Sequence, residues 1–247
     1  MNTPRIVALL LALAALACSD TAASERTVVF ASASLTAPFE DLVEAFERNH
    51  PDHPVRLNTA GTPQLVLQAR EGARVDIFAS ADAASLEPLL LQHDDRFEPV
   101  EFARGSMAIV VAAGNPRGID SVIDLGRSDL LVSLCGPAVP AGRYAREVLA
   151  RASVEVRSVS DEPSVRALVS KVALGELDAG LVYATDLRTA GDRVEGVAIA
   201  DEWNVTARYP LAILTRGPRA ERASAFVEFV RSEAGGAILT AHGFQLP

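Results

Sequence analysis

The sequence predicts an α/β fold built on largely parallel sheets. Short apolar runs of strand length alternate with amphipathic helical stretches along the whole chain. The junctions between them carry Ser, Thr, Gly and Pro, residues that start helices. Of the 247 residues, 49% are apolar, enough to build the core of one large or two modest domains.

Taken in order, Thr27-Val28-Val29-Phe30 reads as a strand, and Phe39, Leu42, Val43 and Phe46 recur at helical spacing. Val55-Arg56-Leu57 predicts a second strand, followed by a helix around Leu65 to Arg70. Asp76 to Ala79 predicts a third strand and Ala84 to Gln92 another helix. Further strands are expected at Met107–Ala113, Leu130–Leu134 and Ala179–Tyr183. Helical stretches separate the last two, one with Tyr144, Val148 and Leu149, the other with Val165, Leu168, Val169 and Val172. Phe226, Phe229 and Val230, then Ile238 and Leu239, predict C-terminal helices. No Pro/Gly/Ser-rich linker divides the chain. Two domains would therefore have to exchange strands, and Met107–Ala113 and Tyr209–Thr215 are the apolar segments suited to crossing.

The N-terminus reads as an export signal: Arg5, then an uncharged apolar run from Ile6 to Ala17. That run is shorter than the roughly 20 residues that span a bilayer. Ala15-Leu16-Ala17-Cys18 resembles a bacterial lipobox, which would leave Cys18 as a lipidated first residue; ordinary cleavage after Ala17 or near Ala23 is the alternative. The expected location is periplasmic or otherwise extracytoplasmic. With Cys18 lipidated, Cys135 has no intramolecular partner. The formal charge of -9, with Lys171 the single lysine, argues against nucleic acid and anionic membrane surfaces as partners.

Four strand-to-helix junctions carry possible anion donors: Ala33-Ser34-Leu35-Thr36, Ala60-Gly61-Thr62-Pro63, Val139-Pro140-Ala141-Gly142 and Pro163-Ser164-Val165. Helix N-termini present unpaired N–H groups and a favourable dipole, and open α/β sheets place ligands at strand C-termini. Each junction alone is an ordinary cap. As a set they form a candidate anion site.

The order of these segments resembles the molybdate-binding proteins of bacterial ABC importers, which have the type II periplasmic binding-protein fold. The resemblance is carried by Phe30–Thr36, Gly72–Asp82, Val139–Ala145, Ser164-Val165-Arg166, Gly180–Asp186 and Gly243-Phe244. It implies two lobes, each a mainly parallel sheet flanked by helices, with the ligand in the cleft between them. The implied boundaries are residues 1–17 for the signal, 25–107 and 209–247 for lobe I, and 108–208 for lobe II. It also implies an oxyanion shell of Ser34, Thr62, Ala141, Val165 and Tyr183, made of hydroxyls and backbone amides. The implied ligand is molybdate, with tungstate close behind; sulfate or another small anion is the alternative on the same fold. No cofactor and no direct protein-to-metal ligand is implied. The implied partner is an ABC permease with its cytoplasmic ATPase, served by a monomer. Thr62 stands where the family usually has Ser, and Pro63 removes one amide beside it.

Such a shell suits a fully deprotonated dianion, which only accepts hydrogen bonds. Burying it is costly unless each oxygen is satisfied. Five to seven bonds to an ionised acceptor, at roughly 1.5–3 kcal/mol each, would offset dehydration and leave sub-micromolar binding. Arg143 and Arg166 adjoin the shell and read as exposed helix residues or lobe–lobe salt bridges.

Other constellations carry less. His50-Pro51-Asp52-His53 reads as a solvated turn without a third metal ligand. Cys135 reads as buried packing, and Asp76 and Asp82 as a turn and a helix cap. No nucleophile elbow, dinucleotide fingerprint or phosphate loop occurs. An exported α/β hydrolase or transferase would need a base near Ser34 or Thr62, and no histidine stands there in sequence; the chain is expected not to be an enzyme.

Overall fold

The computed structural model describes residues 26–93 and 98–247; the predicted signal and Cys18 lie outside them. The chain opens with β1 (Thr27–Ser32), a 3-10 turn (Ala33–Leu35), α1 (Thr36–Asn49), β2 (Val55–Ala60), α2 (Thr62–Arg70), β3 (Ile77–Ala79) and α3 (Glu87–His93). The long strand β4 (Val100–Ala112) leads through a 3-10 turn (Val122–Gly126) to β5 (Val132–Cys135), α4 (Pro140–Arg151), β6 (Asp161–Glu162), α5 (Val165–Ala173) and β7 (Ala179–Tyr183). Then come α6 (Ala184–Thr189), β8 (Val194–Ala198), β9 (Thr206–Ile213), α7 (Pro218–Arg231) and α8 (Glu233–Ala241).

The strands run in the order β2-β1-β3-β9-β4-β7-β5-β6, with β8 beside β4. The pairs β1–β2, β1–β3, β5–β6 and β5–β7 are parallel, and the pairs made by β4 and β9 are antiparallel. Parallel pairs thus form the centre of each half, and the antiparallel strands join the halves. β4 does this within one strand. Its residues Val100 to Ser106 pair with β9, and Met107 to Ala112 pair with β7 and β8.

β1 is buried along its entire length, as expected of a parallel strand covered on both faces. Val29 and Ala31 join the large core with Phe39, Leu42 and Phe46 of α1. Val28 and Phe30 join a second cluster with Leu65, Phe78 and Leu89. The opposite faces of one strand, alternating by the two-residue period, therefore seed two cores. In α4 the buried Ala141, Ala145, Val148 and Leu149 recur at helical spacing and form one face toward the sheet.

Several elements differ from the sequence expectation. β4 begins at Val100, seven residues before its apolar run, because its first half alternates Phe102 and Ala103 with charged neighbours. α3 begins three residues late, at Glu87. β6, β8 and α6 have no strong apolar period; β8 is Val-Glu-Gly-Val-Ala, with only its two valines partly buried. Cys135 is fully buried, and burial pushes its thiol up to about 12, so it stays protonated packing. His50 stacks on Phe46 at 4.5 Å, and His53 lies 6.5 Å from the same ring. Among the described residues no helix is long and apolar enough to cross a membrane.

Candidate oxyanion site between the two halves

Three helices begin around one small cavity. α2 starts at Thr62 after Gly61, α4 at Pro140 after Val139, and α5 at Val165 after Ser164. Gly61 and Val139 have no side-chain acceptor, and neither helix has a side-chain cap. In α2 Gln64 N already bonds to the Gly61 carbonyl, so the Thr62 amide is left for another acceptor; in α4 those of Ala141 and Gly142 are left. Ser164 caps α5 by accepting from Ala167 N, which follows the amides of Val165 and Arg166. Proline at the first turn of α2 and α4 sets the backbone without using an amide of the ladder.

All five sequence-predicted residues, Ser34, Thr62, Ala141, Val165 and Tyr183, line this cavity. Ser34 comes from the turn after β1 and Thr62 from the turn after β2; Ala141 and Val165 come from α4 and α5, and Tyr183 from the end of β7. The first pair and the last three come from opposite halves. The Oγ of Ser34 and the hydroxyl of Tyr183 are both buried, and neither has a well-formed hydrogen bond, although the Tyr209 hydroxyl approaches Ser34. A buried polar atom left alone is uncommon and costly. Two of them facing one cavity beside three helix N-termini make a donor set for an anion. Burial raises the Tyr183 phenol well above its ordinary range, followed by the neighbouring Tyr209 and Tyr144, so it stays a donor. Thr62 differs: its hydroxyl is 2.7 Å from that of Ser32.

The halves also meet beside the cavity. Arg143, at the start of α4, donates from Nε to Asp82 at 2.7 Å and from Nη2 to Ser85 at 2.7 Å. It is therefore the lobe–lobe bridge that the sequence allowed for. Asp82 also accepts from Ser85 N at 3.0 Å within the turn before α3; it stands ahead of the helix start at Glu87 and so closes a turn and not the expected helix cap. Asp76 is a structural anchor: it accepts from Val28 N at 2.9 Å and pairs with Arg74 and Arg219. Because Arg143 is about one-third exposed, its bridge is worth about 1 kcal/mol. Arg143→Ala is accordingly expected to weaken ligand binding roughly fivefold. Titration in low and high salt checks this, since the difference between variant and wild type should shrink as salt screens the pair.

Sequence reasoning passed over three polar residues close behind this shell. Tyr209, on β9, is fully buried, with its ring 5.4 Å from that of Tyr183 and its hydroxyl near Ser34 and Thr185. The hydroxyls of Tyr209 and Thr185 approach each other without a well-formed hydrogen bond. Nothing in local sequence marks a strand tyrosine as facing a cleft. Asp186 accepts from Tyr183 N at 3.1 Å and so secures the start of α6. Burial of its carboxyl pushes Asp186 up to about 7, against the Tyr183 amide and the Arg166 charge, which both lower it. Its proton is thus favoured by folding. The resulting stability is fully present below the ordinary carboxylate range, declines as pH rises, and is lost above about 7. A new charge at Asp186 also repels an anion in the cavity, so ligand affinity is expected to fall as pH rises through 7. Asp186→Asn should flatten both slopes, read by thermal melts and titrations across neutral pH.

The profile of the bacterial extracellular solute-binding protein family matches residues 27–245. The molybdate-binding protein ModA of Mycobacterium tuberculosis is 37% identical over 227 residues, covering 92% of this chain and 87% of that one. The Azotobacter vinelandii periplasmic molybdate-binding protein superposes with a TM-score of 0.74 at 19% identity, covering 90% of this chain and 99% of that one. The sulfate-binding protein SubI of M. tuberculosis gives 0.78 at 17% identity, covering 90% and 86%. The two superpositions establish the two-lobed periplasmic binding-protein fold. The profile and the ModA identity establish the lineage: this chain belongs to the bacterial extracellular solute-binding protein family, as a relative of the molybdate-binding ModA proteins.

Proposed function

We propose that this protein captures molybdate outside the cytoplasm and delivers it to an ABC permease driven by a cytoplasmic ATPase. Ser34, Thr62, Ala141, Val165 and Tyr183 hold the ion in this reading, Ser34 and Tyr183 through hydroxyls and Ala141 and Val165 through amides. The observation that carries it is the pair of buried, unpartnered hydroxyls facing the same cavity as three helix N-termini. A donor-only shell satisfies a tetrahedral dianion and offers nothing to a ligand that must donate. The 37% identity to a molybdate-binding protein favours molybdate among such ions. Tungstate, nearly equal in size and charge, is proposed to bind alongside it.

The lobes are proposed to span residues 25–107 with 209–247, and 108–208, closing on the ion about the β4 and β9 crossings. The protein is proposed to act as a monomer, without a cofactor or catalysis, held at the membrane through lipid on Cys18. Calorimetric titration of the mature protein with molybdate, tungstate, sulfate and phosphate tests the ligand. Tight one-to-one binding of molybdate and tungstate with sulfate silent supports it. Tight sulfate binding with molybdate silent overturns it.

A further inference from the structure

We propose that Ser32 is a positioning residue for the oxyanion: it holds the Thr62 hydroxyl with its proton turned into the cavity, and so favours an anion carrying no proton. This rests on the oxyanion reading of the site.

Ser32 closes β1 and is buried, 2% exposed. Its Oγ has three neighbours, all within the first lobe. Thr62 Oγ1 lies at 2.7 Å, Ala81 N at 3.2 Å and the Ala79 carbonyl at 3.4 Å. A serine hydroxyl has one proton and two lone pairs. The Ala81 amide can only donate, so it occupies one lone pair. The Ser32 proton then goes either to Thr62 or to Ala79. O–H···O bonds centre near 2.7–2.8 Å and fade beyond about 3.0 Å. With an anion in the cavity to take the Thr62 proton, the Ser32 proton goes to Thr62, because the Ala79 carbonyl at 3.4 Å is the poorer acceptor.

With Ser32 donating to its oxygen, Thr62 retains its own proton, and the cavity is where that proton finds an acceptor. The result is a directed chain: the Ala81 amide to Ser32, Ser32 to Thr62, and Thr62 to the anion. Each bond polarises the next. A ligand with a proton to give, such as a phosphate species, meets the wrong polarity. To accept from it, Thr62 must either strand its own proton or return it to Ser32. The second course moves the Ser32 proton onto the 3.4 Å contact with Ala79. Either course leaves one buried hydroxyl proton without a good acceptor, which a dianion does not. This gives a side chain outside the five-residue shell a part in selecting between dianions and protonated anions. It also gives the Thr62 hydroxyl a fixed direction at the first position of α2.

The test is a double-mutant cycle read by calorimetry with molybdate and, at mildly acidic pH, phosphate. Ser32→Ala is expected to weaken molybdate binding about tenfold, the effect of one charge-assisted bond losing its orientation. Phosphate binding should not weaken in step, so the molybdate-to-phosphate ratio narrows. In a Thr62→Val background, which lacks the hydroxyl that Ser32 acts through, Ser32→Ala should have no further effect. Should Ser32→Ala fold poorly, Ser32→Cys keeps nearly the same volume with a weaker donor and should show the same narrowing in smaller measure. Additive losses in the cycle, or equal weakening for both anions, would overturn the role of Ser32 while leaving the site intact. Absence of molybdate binding in the wild-type protein would overturn both.

Discussion

Gly61→Ala is expected to lower molybdate affinity by about 100-fold or more while leaving the fold intact. A Cβ at Gly61 would lie 2.5 Å from the carbonyl oxygen of Pro163 and 3.7 Å from Cβ of Ser164. Gly61 precedes α2 in one half, and Pro163 precedes α5 in the other. The clash is therefore between the halves, at the edge of the cavity. The backbone at Gly61 has φ -55, which alanine adopts freely, so the conflict is with the opposing chain and not with local geometry. The closed form must part by enough to withdraw Ala141, Val165 or Tyr183 from the ion. Losing two bonds to an ionised acceptor costs about 3–6 kcal/mol, which sets the 100-fold lower bound. A form with the lobes apart carries no such clash, and a glycine replaced at a compatible φ is commonly stabilising by a few tenths of a kcal/mol or more. Thermal melting without added ligand should thus be unchanged or slightly raised, and X-ray scattering with molybdate should show no compaction. Wild-type affinity in the variant would mean that the halves do not approach at Gly61.

The second large effect is expected at the two lone hydroxyls. Tyr183→Phe and Ser34→Ala each remove one donor and leave the backbone amides in place. Each should weaken molybdate about 10- to 100-fold, the range for a hydrogen bond to a charged acceptor. The two losses should combine, since the residues approach the ion from opposite halves. The Tyr183 ring packs against those of Tyr144 and Tyr209, contacts that phenylalanine retains. Circular dichroism should therefore match wild type while calorimetry does not. Full affinity in both variants would remove them from the shell.

The α/β class and most elements were legible because they depend on local periods. α1, α5 and β7 stand where the apolar residues recur at helical spacing or in an unbroken run. The donor junctions were legible for a related reason: Gly61, Pro63 and Pro140 punctuate the chain through their own backbone chemistry. The residues between these landmarks also kept the order of a known family, and that order, not any single motif, linked Ser34, Thr62, Ala141, Val165 and Tyr183 in advance.

Local chemistry along the chain marked the kind of donor available and where each is presented. Propensity, capping and turn chemistry act over a few residues and can be read there. Folding settled which hydroxyls have neighbours that orient them. Thr62 and Ser34 look alike in sequence, yet Thr62 shares its hydroxyl with Ser32 and Ser34 does not. Arg143 and Arg166 look alike too, and only Arg143 bridges the halves to Asp82. Asp186 gained its burial and the Arg166 charge, and Tyr209 gained Ser34 and Thr185, from elements apart in the chain. Hydrogen-bond satisfaction, burial and charge are set by partners that folding brings together, and no local pattern records who those partners are.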